Sequence, residues 1–175
     1  LVEANGWQPD FDQLESMDLT GVKLMWTNYP NMPTGGRAQR ETYERLVRFA
    51  REHDIIVVND NPYSFILNEG EKLSILQIPG AKDHCIEFNS MSKSHNMPGW
   101  RVGMLATNSE FISWILKVKS NIDSGTFRAL QLAAAQAYAN TEQWHTEANI
   151  ATYARRRAMA QEIMDTLHCS YDPNQ

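Results

Sequence analysis

The chain has 175 residues, 42% apolar and 21% charged, a composition that argues against disorder and fits one globular domain. Sixteen basic and 21 acidic residues give a net charge of -5, which weighs against a nucleic-acid-binding protein, and no apolar run is long enough to span a membrane. The two cysteines lie far apart and the five histidines lack the spacing of metal ligands, so we expect neither a disulfide framework nor a metal site. A reducing cytoplasm is the expected compartment.

Hydrophobic patterns in the first half of the chain predict a strand, a helix and a second strand, over residues 22–29, 39–53 and 55–58. Both strands are mostly apolar and β-prone, so they are expected to be buried. The helix repeats its apolar residues at i, i+3, i+4 and i+7. A turn rich in proline and glycine, residues 30–36, separates the first strand from the helix.

Two further strands are predicted over residues 85–89 and 102–106. A segment rich in serine and other polar residues, 90–101, connects them. The order of strands and helix indicates an α/β fold, a three-layer α/β/α arrangement around a mostly parallel sheet. Ligands of such sheets bind beyond the carboxyl ends of the strands, where polar, proline- or glycine-rich segments follow three of the four strands, over residues 28–36, 59–64 and 89–101.

The rest of the chain is predicted to be helical, beginning at an N-cap formed by Asn108. Segments 110–120 and 126–140 are apolar on a broad face and are expected to pack. A long amphipathic helix is predicted over 141–167. It carries the triplet 155–157 of three arginines, which is interpreted as a solvated helix face, with anion binding as the alternative.

Lys93 is the first candidate for chemistry, because serines precede it at Ser90 and Ser92 and Arg101 follows. A lysine beside cationic or buried groups can have a nucleophilic amine, and arginine and serine side chains bind phosphate. An amine beside a phosphate cradle suits pyridoxal phosphate. Taken alone, however, a loop lysine is more often simply solvated.

Asp60 and Tyr63 change that balance, because they follow a buried strand. In a pyridoxal site, a carboxylate there would hold the proton on the pyridine nitrogen, and a phenol three residues later would face the ring hydroxyl. The alternatives are a turn or cap residue for Asp60 and a half-buried aromatic for Tyr63.

Three motifs occur in one order, each after a predicted strand: Asn31-Met32-Pro33-Thr34-Gly35, then Asp60-Asn61-Pro62-Tyr63, then Ser90-Met91-Ser92-Lys93 with Arg101-Val102-Gly103. Together they make the chain resemble the fold-type I, pyridoxal-phosphate-dependent aminotransferases of class I/II. The resemblance runs from about residue 6 to residue 167. The segment after Lys93 is most similar to the bacterial subgroup acting on aspartate, alanine, aromatic amino acids or diaminopimelate.

The resemblance implies a role for each candidate residue. Lys93 would form the internal Schiff base and later move the proton between substrate Cα and cofactor C4′. Asp60 would pair with the pyridinium nitrogen, and Tyr63 would hydrogen-bond the ring oxygen. The side chains implied to hold the cofactor phosphate are Ser90, Ser92 and Arg101.

One position departs from the family pattern. Members usually have asparagine immediately before Pro-Thr-Gly, where it bonds the ring oxygen and often the substrate carboxylate. Here that residue is Met32, which has no useful donor. Asn31 is adjacent and is the candidate replacement.

The chain starts with leucine and is shorter than family members, so it is expected to be the central piece of the large domain. Residues 1–165 would be part of the cofactor-binding large domain, and 166–175 would begin a small domain. The piece itself is expected to be inactive and to expose apolar surface. The resemblance implies amino acid and 2-oxo acid substrates, and a homodimer for the parent protein.

Three other functions remain open at this point. One is another pyridoxal reaction on the same fold, such as β-elimination. Another is an aminotransferase-like sensing module of a transcription regulator, against which the acidic charge balance weighs. A nucleotide-binding α/β protein is the third, and it is disfavoured because neither glycine-rich phosphate motif occurs.

Overall fold

The computed structural model describes residues 1–67 and 71–173, without the side chains of 148 and 149. Four strands form one sheet in the order β1-β2-β3-β4, with bounds Leu24–Asn28, Ile56–Asp60, Cys85–Ser90 and Gly103–Ala106. Strands β1, β2 and β3 run parallel, and β4 pairs antiparallel with β3. The predicted mostly parallel sheet is therefore confirmed.

The α-helices, in chain order, are α1 Phe11–Ser16, α2 Arg40–His53, α3 Ala81–His84, α4 Met91–Ser94, α5 Ser109–Ile122, α6 Arg128–Ala139, α7 Thr141–Trp144 and α8 Ala154–Thr166. Helix α2 has its buried residues on one face, as its sequence pattern predicts. Asn108 caps α5, since its side chain accepts a hydrogen bond from the Phe111 N–H at 2.9 Å.

Helices cover both faces of the sheet, which confirms the predicted three layers. On one face α1, α2 and α3 enclose a buried cluster that includes Leu46, Val57 and Cys85. On the other face Phe111 of α5 packs with Val58 and Ile86. Burial of such side chains contributes about 1.5–3 kcal/mol each and holds the strand ends in fixed positions.

The prediction that the first strand is buried is wrong for one of its faces. Leu24 and Trp26 are 51% and 63% exposed. Strand β1 lies at the edge of the described sheet, and alternate residues of a strand point to opposite faces. The ring of Trp26 stacks on Phe88 of β3, with centroids 5.9 Å apart, but its other side is open.

The expectation that segments 110–120 and 126–140 are packed is also wrong for most of their apolar residues. Phe111 is the buried residue of α5, and Ala134 is that of α6. The exposed apolar side chains of this region include Trp114, Val118, Ile122, Phe127 and Leu132. No described element covers these side chains, so the expected exposure of apolar surface is confirmed.

The long helix predicted over 141–167 is present but not uniform. Between α7 and α8 the segment His145–Tyr153 is wound as a π-helix. No residue of α8 is buried, and Arg155 and Arg156 are exposed, as expected of a solvated face. The proposed domain boundary at 165/166 lies in the last turn of this helix, and residues 174–175 lie outside the described residues. None of the described helices combines the length and apolar character needed to cross a membrane.

The register of the strands brings the predicted site segments to one edge of the sheet. Asn28 pairs with Asp60 at the carboxyl ends of β1 and β2. Ser90 at the carboxyl end of β3 pairs with Gly103 at the start of β4. The antiparallel direction of β4 therefore places its entry loop, which contains Arg101, at the edge where the three parallel strands end.

We expect Gly103→Ala to destabilise the protein by about 1–3 kcal/mol. A Cβ at this position would lie 2.8 Å from the backbone oxygen of Asn89, and that oxygen is fixed within β3. Gly99→Ala is the matched control, because a Cβ there meets no atom within 4 Å. Urea unfolding midpoints of the two variants measure the difference, and equal midpoints would contradict the close approach of β3 and β4.

Candidate active site

Asn28 joins the ends of β1 and β2 to the proline-containing turn that follows. Its Nδ2 donates to the Asp60 backbone oxygen at 2.8 Å, and its Oδ1 accepts from the Met32 N–H at 2.8 Å. One side chain thus fixes the backbone of Asp60 and the position of the turn. Sequence reasoning missed this residue, and the available signal was a polar amide near the carboxyl end of the strand predicted over 22–29.

The Asp60 carboxyl group is half-buried at the end of β2. Burial raises its pKa above the ordinary value. Among the described residues, none donates a hydrogen bond to this carboxylate or forms an ion pair with it. A desolvated carboxylate without a partner is unfavourable for the empty protein and suited to a cationic or N–H ligand.

Asn31 lies in the wall of two cavities at this edge. The first is about 440 Å³ and also contains Asp60 in its lining. The second is about 280 Å³ and is lined by Met32 and Tyr63 as well. Asn31 is therefore the predicted site residue that connects the neighbourhoods of Asp60 and Tyr63.

The side chain of Asn31 is engaged within its own turn. Its Oδ1 accepts from the Thr34 hydroxyl at 2.7 Å, and its Nδ2 donates to the Asn28 backbone oxygen at 3.3 Å. An amide nitrogen carries two protons, so one N–H remains for a further acceptor. Met32, at the position where the resembled family has asparagine, is exposed and offers no such donor.

Lys93 lies in α4, a single helical turn that begins directly after β3. Ser90 caps this turn, since its Oγ accepts from the Ser92 N–H at 3.1 Å. The Lys93 side chain is exposed, and no described residue lies within hydrogen-bond or ion-pair distance of its ammonium group. Ser92 is half-buried and its hydroxyl also lacks a described partner. The turn thus presents an amine and two serine hydroxyl groups.

Arg101 follows a 3₁₀ turn, Pro98–Trp100, and has a left-handed backbone with φ of 53°. A residue other than glycine in this region costs about 1–2 kcal/mol, and such strain clusters at functional sites. Its guanidinium donates to the Pro98 oxygen at 2.9 Å, which leaves further N–H donors. The Met91 N–H bonds to the Val102 oxygen at 3.2 Å, so Arg101 enters next to the lysine turn.

A buried polar network lies beneath the Asp60 strand end, and sequence reasoning missed it. Asn59, fully buried, donates to Glu87 at 3.1 Å and to the Tyr43 hydroxyl at 3.3 Å. Glu87 also accepts from the Ile75 N–H at 3.1 Å. Burial raises the pKa of Tyr43, and the Glu87 charge adds to that effect. The network ties β2 to β3 and to the connection between them.

The structure thus brings the predicted residues to one edge in two groups. Asn31, Asp60 and Tyr63 lie around the ends of β1 and β2, and the second group lies around the β3–β4 connection and comprises Ser90, Ser92, Lys93 and Arg101. A hydrogen bond from a side chain to the backbone links the segments of the two groups, because Asn89 Nδ2 donates to the Asn61 backbone oxygen at 2.8 Å. No direct side-chain contact joins Lys93 to Asp60 among the described residues.

We expect Asp60→Asn to raise the free energy of unfolding of the cofactor-free protein at pH 7. The folded-state pKa of Asp60 lies above the unfolded value, so stability from the protonated carboxyl is present at low pH and lost as pH rises through the folded pKa. The amide of asparagine stays neutral, so the variant does not lose this stability at pH 7. Urea unfolding of the variant and the wild type at pH 7 and pH 3 measures the difference in the free energy of unfolding. A stability gain that persists unchanged at pH 3 would show that the titration of Asp60 is not its cause.

Comparison with known proteins adds independent support for the resemblance. A model of the family described as aminotransferase class I and II matches residues 1–174. The LL-diaminopimelate aminotransferase 2 of Trichormus variabilis is 42% identical over 99% of this chain, and the LL-diaminopimelate aminotransferase of Gloeobacter violaceus is 44% identical over 95%.

Solved structures agree with the described fold. The aspartate aminotransferase from Thermus thermophilus with maleate is 30% identical, with a TM-score of 0.85 over 95% of this chain and 44% of that protein. The matches cover 44% and 43% of the Trichormus and Gloeobacter proteins. The chain therefore spans less than half the length of the relatives that it matches.

Proposed function

The chain belongs to the family of class I and II aminotransferases, and on that premise we propose that its protein exchanges the amino group of an amino acid with the oxo group of a 2-oxo acid, using pyridoxal 5'-phosphate. One observation carries the proposal. The exposed amine of Lys93 lies at the same edge of the sheet as the half-buried carboxylate of Asp60, which has no partner among the described residues.

The residues present fit the cofactor chemically. Asp60 lacks a described partner and is desolvated, which suits the protonated nitrogen of a pyridine ring. Ser90, Ser92 and Arg101 provide hydroxyl and guanidinium donors for the phosphate. When bound, pyridoxal phosphate supplies an aldehyde for the amine and a ring that withdraws electrons from the substrate carbon.

We assign the proton transfers to Lys93. With pyridoxal phosphate present, its amine would be the group that holds the cofactor and would serve as the positioned base and acid for the proton at substrate Cα. Asp60 would hold the proton on the ring nitrogen. Tyr63 and Asn31, which both line the second cavity, are the donors proposed for the ring oxygen, where Met32 supplies none.

The substrates and the assembly of the whole protein are proposals as well. LL-diaminopimelate is the amino donor to test first, because relatives at 42% and 44% identity carry that name. We propose that residues 1–165 are part of a cofactor-binding large domain and 166–175 the start of a small domain. We further propose a cytoplasmic homodimer, as the family resemblance implies.

A steady-state assay of the full-length protein tests the function. We expect turnover with pyridoxal phosphate and a 2-oxo acid acceptor for at least one donor among LL-diaminopimelate, aspartate, alanine and aromatic amino acids. Cofactor binding without turnover for any donor would instead support the sensing module, and release of a 2-oxo acid without an amino acceptor would support a lyase.

The 175-residue chain alone is expected to have no measurable turnover in the same assay. It spans less than half of its relatives, and catalysis depends on positioning by all groups around the substrate. Turnover close to that of the full-length protein would show that the chain contains a complete site.

A further inference from the structure

The turn that carries Lys93 packs against the segment where α6 meets α7. His95, 7% exposed, places Nε2 3.0 Å from the Thr141 hydroxyl, and its ring packs edge-on against Tyr138 at 5.2 Å between centroids. Trp144 Nε1 donates to the Ser94 oxygen at 2.7 Å. These contacts join segments 46 and 50 residues apart. A four-residue helix is unstable alone, so such contacts determine where α4 sits.

The two hydroxyl groups beside His95 have other acceptors. Ser94 Oγ lies 2.9 Å from His95 Nδ1 and donates to the Ser90 oxygen at 3.0 Å. The Thr141 hydroxyl donates to the Tyr138 oxygen at 2.7 Å. Each hydroxyl has one proton. If both protons go to carbonyl oxygens, both ring nitrogens of His95 must donate, which only the imidazolium can do.

The neutral ring donates a hydrogen bond from only one of its two nitrogens. One of the two hydroxyl groups must therefore rotate away from its carbonyl oxygen and donate to the other ring nitrogen. Burial lowers the pKa of His95, and a hydrogen bond with the Ala137 backbone opposes that effect. Of the described titratable side chains, Tyr138 of α6 packs on the ring, and burial raises its pKa, so it stays neutral where His95 titrates. Lys93 is the charged residue of α4 itself.

We propose that His95 is a positioning residue for Lys93: its ring bridges Ser94 to Thr141, fixes α4 against α6 and α7, and decides by its protonation which acceptor the Ser94 hydroxyl serves. The effect reaches the predicted phosphate-binding residues, because the Ser90 carbonyl that accepts from Ser94 belongs to the residue whose side chain caps the turn. The catalytic role of this bridge rests on the proposed function, whereas the hydrogen bonds that form the bridge do not depend on it.

Two variants of the full-length, cofactor-free protein test the bridge by amide hydrogen exchange. His95→Phe keeps a ring without nitrogens, and Thr141→Val removes the Nε2 partner with little change of shape. Both are expected to speed exchange of residues 91–95 about fivefold to tenfold, as the loss of one buried hydrogen bond implies. His53→Phe on α2 is the control, in which the exchange of residues 91–95 should not change. Unchanged exchange in Thr141→Val overturns the proposal even if His95→Phe fails to fold.

The protonation part is tested by titrating His95 with NMR in wild type and Ser94→Ala. In the proposed bridge the neutral ring carries its proton on Nε2, towards Thr141, so Nδ1 accepts from the Ser94 hydroxyl. The imidazolium then makes one more bond through Ser94 than this neutral ring does, so the pKa of His95 should fall in the variant; an unchanged or raised pKa overturns the coupling. In the holoenzyme, Thr141→Val should lower kcat about tenfold and change KM little. A kcat of Thr141→Val equal to that of the wild type would overturn the positioning role. Absence of cofactor binding in wild type would instead reject the proposed function, and the exchange and titration results would still decide the bridge.

Discussion

We expect Lys93→Ala in the full-length protein to lower kcat for transamination by at least about 10²–10⁴-fold, the contribution of one positioned acid and base. The amine is the group proposed to move the proton at substrate Cα, and no other lysine lies on the turn after β3. Steady-state kinetics with the best donor of the panel measures the loss.

The variant is expected to remain folded. Lys93 is exposed and its ammonium has no described partner, so its removal should change the free energy of unfolding by no more than about 0.5 kcal/mol. Lys117→Ala on α5 is the matched control, with unchanged kcat. A Lys93→Ala protein that keeps more than a tenth of wild-type turnover would contradict the assignment.

Asp60→Ala is expected to lower kcat by about 10²–10³-fold while raising the cofactor dissociation constant only about tenfold. In the proposed site the carboxylate would stabilise a charge on the ring nitrogen that matters most while the substrate carbon loses its proton. Cofactor affinity would instead depend mainly on the proposed phosphate donors, which this substitution leaves in place. Kinetics at saturating cofactor and a fluorescence titration of the apoprotein separate the two effects.

Asp83→Ala provides the control for removal of a carboxylate. Asp83 is exposed on α3, so neither quantity should change. If Asp60→Ala lowered affinity and kcat by equal factors, Asp60 would be a structural anchor for the cofactor and the proposed charge role would be wrong.

Much of the fold followed from local sequence pattern. The strands and helix α2 were placed to within about two residues, because runs of β-branched residues and a 3.6-residue period are local signals. The ends of the strands then indicated a candidate site, since parallel strands bring their carboxyl ends to one edge. Asp60, Tyr63 and the Lys93 turn were candidates because they follow predicted strands, whereas Asn31 was a candidate only through the family resemblance.

What local pattern missed depends on contacts between distant segments. The amide of Asn28 acts through Asp60, 32 residues away, and His95 acts through Thr141, 46 residues away. The position of each residue in the sequence does not indicate which distant residue it contacts. The exposed apolar faces of α5 and α6 were mispredicted for a related reason: a hydrophobic stripe indicates that a face is suited to burial, not that a described element covers it.

Borohydride reduction of the full-length protein with bound pyridoxal phosphate, followed by peptide mapping, tests the central claim most directly. Reduction fixes the cofactor to the amine that holds it, independently of turnover. We predict a single modified peptide in which Lys93 carries the cofactor. Modification at Lys117 or Lys119 of α5, or no stable modification of this chain at all, would contradict it.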